Sequence, residues 1–146
     1  FGYAQLIRVF AETAYNPAQL MGETVIGAST PTTSVSIKGI RDGLLDPWRK
    51  HLRTLAGFPN VVCKLSGLVT EADHAKWTPA QLQPYVDQLA DTFGPERLLF
   101  GGDWPVAKLA CDYRRWLGLA RQFTAHFSPG EQAAIFHDNA VRIYRL

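Results

Sequence analysis

Three prolines constrain this chain more than any other feature. Asp46-Pro47, Thr78-Pro79 and Ser128-Pro129 each set an oxygen acceptor just before a proline, and helical periodicity follows each one. Proline lacks the N–H that the first helical turn leaves unpaired, and the preceding side chain caps a neighbouring N–H. Gln81 and Glu131 stand three residues after their caps, which predicts capping boxes. After Pro47, Trp48, Leu52 and Leu55 make one face of a helix that Gly57 and Pro59 stop. Leu82, Val86, Leu89 and Phe93 make a second, closed by Gly94-Pro95. Tyr113, Trp116, Leu117, Ala120 and Phe123 predict a third helix, and Ala133, Phe136, Ala140 and Tyr144 a last one.

Two apolar runs lie between these helices. Val61 to Gly67 and Arg97 to Gly101 read as short strands, buried on both faces as in a parallel sheet, with Lys64 the exception. Strand, helix, strand, helix at this spacing is the βαβ signature of an α/β fold. The strands are then parallel neighbours whose C-terminal ends open on one side, the side that carries chemistry in open sheets and barrels. Residues 1–45 are less regular. Leu6, Ile7 and Phe10 give a partial stripe that predicts a short helix over Ala4 to Ala14, while Met21 to Ser36 reads as one or two weak strands or an unstructured loop.

Composition narrows the function classes. With 146 residues, 47% hydrophobic and 12% aromatic, the chain suits one packed domain or part of a larger one, and not disorder. No run approaches the roughly 18 apolar residues of a membrane helix, and no basic-then-apolar leader opens the chain. Fifteen basic against 13 acidic residues give no electrostatic case for nucleic acid. Cys63 and Cys111 form no metal signature and read as reduced thiols of a cytoplasmic protein.

Asp103 is the leading candidate for chemistry. It follows Phe100-Gly101-Gly102 just past a buried strand, where the glycines let the backbone turn sharply and approach a ligand. A carboxylate there can accept a proton from water or ligate a divalent metal; the plain alternative is a turn or cap Asp. Lys64, inside an apolar strand, is either a clamp on a carboxylate or oxyanion or a lysine that snorkels to water. Alternation puts Lys64 and Ser66 on one face, and Ser66-Gly67 ends its strand level with Asp103. Glu71, Asp73 and His74 follow that strand, and a solvated polar loop is their better reading. His51, His74, His126 and His137 show no H-x-H or H-E-x-x-H spacing, and neither a nucleophile elbow nor a phosphate loop is present.

Pro47-Trp48, Leu55-Ala56, Pro59-Asn60-Val61 and Lys64-Leu65-Ser66-Gly67 resemble the amidohydrolase-related superfamily, in its branch of metal-optional sugar-lactone and pyrone-dicarboxylate lactonases. The run from Phe93 through Gly101-Gly102-Asp103-Trp104-Pro105 to Val106 is the most specific piece, with Gly102 where the family usually has serine. Asn139-Ala140 with Tyr144 resembles the closing helix. The resemblance covers about residues 40–146 and implies the C-terminal portion of a (β/α)8 TIM-type barrel, which takes about 250 residues when whole; residues 1–39 stay unassigned. It implies strand seven over 61–66, strand eight over 97–101 and helix six over 47–57. The family's Asp-His pair before a Lys-Pro is absent from Ser34-Val35-Ser36-Ile37-Lys38-Gly39-Ile40.

The resemblance implies hydrolysis of a sugar-type or carboxylated lactone. Asp103 would be general base on water, and one ligand of a divalent metal such as zinc where a metal is used. Lys64 would bind a substrate carboxylate or the carbonyl oxygen, with Ser66 and Trp104 beside the substrate. A different class is a non-catalytic barrel fragment completed by a partner chain, self-associating through open strand edges.

Overall fold

The computed structural model describes residues 8–11, 32–34, 40–46, 48–59 and 61–146. Among the described residues four strands form one sheet: β1 (Arg8–Ala11), β2 (Thr32–Ser34), β3 (Val61–Leu65) and β4 (Leu98–Phe100), in the order β2-β1-β3-β4. β3 and β4 are parallel neighbours, with Cys63 opposite Leu98, Lys64 opposite Leu99 and Leu65 opposite Phe100. This is the predicted pair, and the burial of Val61, Cys63, Leu65, Leu98 and Leu99 follows from its apolar runs.

The N-terminal expectation is corrected. Arg8–Ala11 is a strand, not part of a helix, and it lies antiparallel to β3 with Val9 opposite Cys63 and Phe10 opposite Val62. A three-residue stripe is too weak to hold a local helix against backbone pairing with an open strand edge. That edge of β3 is therefore covered, where a partial barrel was expected to leave it open. β2 falls inside the stretch read as weak strand or loop and pairs antiparallel with β1. The rest of Ala4 to Ala14 and of Met21 to Ser36 lies outside the described residues.

Six α-helices flank the sheet among the described residues: α1 (Trp48–Ala56), α2 (Leu68–Glu71), α3 (Pro79–Phe93), α4 (Tyr113–Phe123), α5 (Pro129–Ala133) and α6 (Asn139–Tyr144). α1 buries Trp48, Leu52 and Leu55, and α3 buries Leu82, Val86, Leu89 and Phe93 together with Tyr85. Pro84 inside α3 costs roughly 3 kcal/mol. Four buried apolar side chains at about 1.5–3 kcal/mol each outweigh it.

Two of the three expected caps are seen, at Thr78 and Ser128; the Asp46 carboxylate instead accepts from the Arg49 guanidinium at 2.6 Å, and Pro47 lies outside the described residues. Thr78 accepts from the Gln81 N–H at 3.3 Å, but Gln81 closes no box: its Nε2 donates to the Ile40 carbonyl at 2.9 Å. Ser128 and Glu131 do close one, with Ser128 N donating to the carboxylate at 2.8 Å. Asp112 caps α4 without a proline, accepting from Arg115 N at 2.8 Å. Between α5 and α6 a π turn over Ala134–Asp138 replaces the uninterrupted helix. The wider turn shifts the phase of the stripe, so Ile135 and Asn139 are buried while Ala133 and Tyr144 are exposed.

Candidate active site

Asp103 stands past the end of β4 with φ of 49°, the left-handed region that a short polar side chain tolerates best after glycine. The sharp turn therefore falls on the aspartate itself. Its carbonyl accepts from Ala107 N at 2.7 Å, which opens a 3₁₀ turn over Val106–Leu109.

The two preceding glycines have a different job from the expected one. A Cβ on Gly101 would meet Ser66 Oγ at 2.7 Å and Ser66 Cβ at 2.8 Å, with Lys64 Cδ 3.8 Å away. A Cβ on Gly102 would meet Tyr113 Cε2 at 2.8 Å. The glycines make room for protein side chains rather than for a ligand alone. Gly101 also accepts at its carbonyl from the Trp116 indole N–H at 2.8 Å, which pins the end of β4 to α4.

Lys64 and Ser66 thus share one face, as alternation requires, and both flank Gly101. The Lys64 ammonium lies over the Tyr144 ring, 5.4 Å from its centroid. Trp104 follows Asp103 with its side chain 69% exposed and precedes a cis bond to Pro105, so it is not a core aromatic.

Sequence reasoning missed α2 and what it carries. Gly67, at φ of 73°, turns the chain from β3 directly into α2. Thr70 Oγ1 then donates to the Gly67 carbonyl at 2.8 Å and reaches Asp103 Oδ2 at 3.4 Å. His74 Nε2 bonds the Thr70 carbonyl at 2.9 Å. Asp73 accepts from the Ala75 and Lys76 N–H groups at 3.0 and 3.1 Å, and those N–H groups, Ala75 first, hold its carboxyl below the usual range. Asp73 and His74 are therefore engaged in shaping the loop, while Glu71 lies at the end of α2. The signal for Thr70 was present only in its position, three residues beyond a strand-ending glycine.

No group of three or more His, Cys, Asp or Glu that could hold a metal occurs among the described residues. Asp103 is one candidate ligand, and the described residues do not by themselves fit a metal centre. None of the described helices is long and apolar enough to cross a membrane. Cys63 and Cys111 are free thiols.

The amidohydrolase family model matches residues 34–146. The chain belongs to the amidohydrolase family. It is 43% identical over 110 residues to the L-fucono-1,5-lactonase of Burkholderia multivorans, covering 72% of this chain and 37% of that one. The corresponding lactonase of Burkholderia ambifaria is 41% identical over 112 residues, 73% of this chain and 38% of its own length. A crystal structure of a Burkholderia multivorans amidohydrolase with bound zinc superposes with a TM-score of 0.70 at 40% identity, covering 75% of this chain and 41% of that one. The chain thus spans less than two fifths of the length of those two lactonases.

Proposed function

We propose that this chain is the C-terminal portion of a barrel-type lactone hydrolase, with Asp103 as the general base. Water attacks the lactone carbonyl carbon while the Asp103 carboxylate takes its proton. The ring C–O bond then breaks, the ring oxygen regains a proton, and a hydroxy acid leaves. The Lys64 ammonium stabilises the carbonyl oxygen or holds a substrate carboxylate, and Ser66 and Trp104 border the substrate. The observation that carries this reading is the position of Asp103 at the C-terminal end of β4, on the side where parallel α/β folds hold their chemistry. The two lactonases it resembles support the substrate class. Zinc in a similar structure makes Asp103 a candidate ligand of a divalent ion, but with one candidate ligand at hand the proton transfer is written through Asp103 and water alone.

Asp103→Asn tests the assignment with L-fucono-1,5-lactone as substrate. A general base is worth about 10²–10⁴ in rate, so kcat/KM drops at least about a hundredfold. Hydrolysis at the parental rate overturns the base role.

A second reading is a non-catalytic fragment that completes its fold with a partner chain. The antiparallel β1 on the flank of β3 favours it, since a parallel barrel has no place for that strand. Size-exclusion chromatography with a lactone assay separates the two. A monomer that hydrolyses the lactone defeats the fragment reading.

A further inference from the structure

We infer that Tyr113 is a specificity-determining residue that hydrogen-bonds a ring hydroxyl of the substrate; this rests on reading the region around Asp103 as a site for sugar-type lactones. Tyr113 opens α4, where Asp112 caps the helix by accepting from Arg115 N at 2.8 Å. The cap fixes the first turn, and the Tyr113 ring returns to the end of β4. There it meets Phe100 edge-on, with ring centroids 6.4 Å apart and planes at 70°. The ring also lies against Gly102: a Cβ there would stand 2.8 Å from Cε2 and 3.3 Å from Cδ2. Only a residue without a side chain lets the ring come this close to the backbone immediately before Asp103.

This packing accounts for the ring and not for the hydroxyl. Trp116, Ala120 and Phe123 of α4 are buried, whereas Tyr113, on the same stripe, is 45% exposed. A phenylalanine would make the same contacts with Phe100 and Gly102. The Tyr113 hydroxyl, which can both donate and accept, has no hydrogen-bond partner among the described residues. The body of the ring is thus held by the protein, and its polar tip is left to water or to a ligand. Trp104, two residues beyond Gly102 and 69% exposed, adds apolar surface beside it. A polyhydroxylated ring suits such a pair: its C–H groups lie on aromatic surface, and a hydroxyl exchanges a hydrogen bond with the phenol. An unsubstituted lactone uses the surface alone. Tyr113 therefore sorts lactones by their hydroxyls, while the proton transfer stays with Asp103 and water.

The test compares two lactones on the full chain: the sugar lactone of the Asp103→Asn assay, and δ-valerolactone, the same six-membered ring without substituents. The parent prefers the sugar lactone in kcat/KM. Tyr113→Phe keeps the ring contacts, and therefore the fold, and removes the hydroxyl. In that variant the preference falls about three- to tenfold, the worth of one hydrogen bond, and the change lies in KM rather than kcat. Calorimetric titration with the two corresponding lactams reads the same preference as binding, without turnover. A preference in Tyr113→Phe equal to the parent's, or a parent that binds both lactams alike, overturns the inference. A parent that binds neither lactam overturns the lactone reading and the inference with it. Parental hydrolysis by Asp103→Asn overturns only the base assignment, and the lactam titration still decides for or against Tyr113.

Discussion

The Trp116 indole N–H donates to the Gly101 carbonyl at 2.8 Å, joining a fully buried ring of α4 to the last residue before the Gly102-Asp103 turn. Trp116→Phe removes that donor and leaves a small void. Stability falls by about 2–4 kcal/mol, measured by urea denaturation. Because the bond anchors the loop that bears Asp103, the lactone hydrolysis proposed for this chain falls more than the folded fraction does.

Gly102 and Tyr113 are coupled by exclusion. A serine at 102 places its Cβ at 2.8 Å from the ring of Tyr113, so Gly102→Ser costs about 1–3 kcal/mol by overpacking. In a Tyr113→Ala background the same change costs about 1 kcal/mol less, and a double-mutant cycle on thermal unfolding reads the difference.

Asn139 ties the last helix to the start of β4. Its Nδ2 donates to the Pro95 carbonyl at 2.8 Å and to the Leu98 carbonyl at 2.7 Å. Asn139→Ala leaves both acceptors without this donor and costs about 2–3 kcal/mol. Asn139→Asp is worse, since it turns a carboxylate toward two carbonyl oxygens. Calorimetric melting of both variants decides the order.

Cys63 makes stability fall at high pH. Burial pushes its thiol well above the ordinary range, so the folded chain keeps a proton that the unfolded chain gives up. The contribution is complete below the unfolded thiol value of about 8.5 and declines as pH rises above it. Cys63→Ala flattens the slope of unfolding free energy between pH 9 and 10 by up to about 1.4 kcal/mol per pH unit. Equal slopes in parent and variant refute the assignment.

What was legible in the sequence is what is local. The caps at Thr78 and Ser128 and the stripes of α1, α3 and α4 follow from spacing within a few residues, and the pairing of β3 with β4 follows from the strand–helix–strand order. Asp103 was found because a carboxylate after a glycine pair at a strand end is visible without a fold. Thr70 was not, because α2 is four residues long, too short to show a period, and its contact lies across the chain. β1 was missed for the same reason: Val9 finds its partner at Cys63, and no local pattern announces that. The π turn escaped because one widened turn leaves the apolar residues in place but changes which of them face inward. Gly101 and Gly102 were recognised as necessary, while the neighbours that require them, Ser66 and Tyr113, only the packing reveals.

With β1 on one side and β4 on the other, β3 has a neighbour running against it and a neighbour running with it. Any polypeptide that offers a co-directional segment to the first side must evict the resident before it can dock. Reconstitution there is an exchange reaction rather than a simple addition, and its rate is set by how readily Arg8–Ala11 lets go.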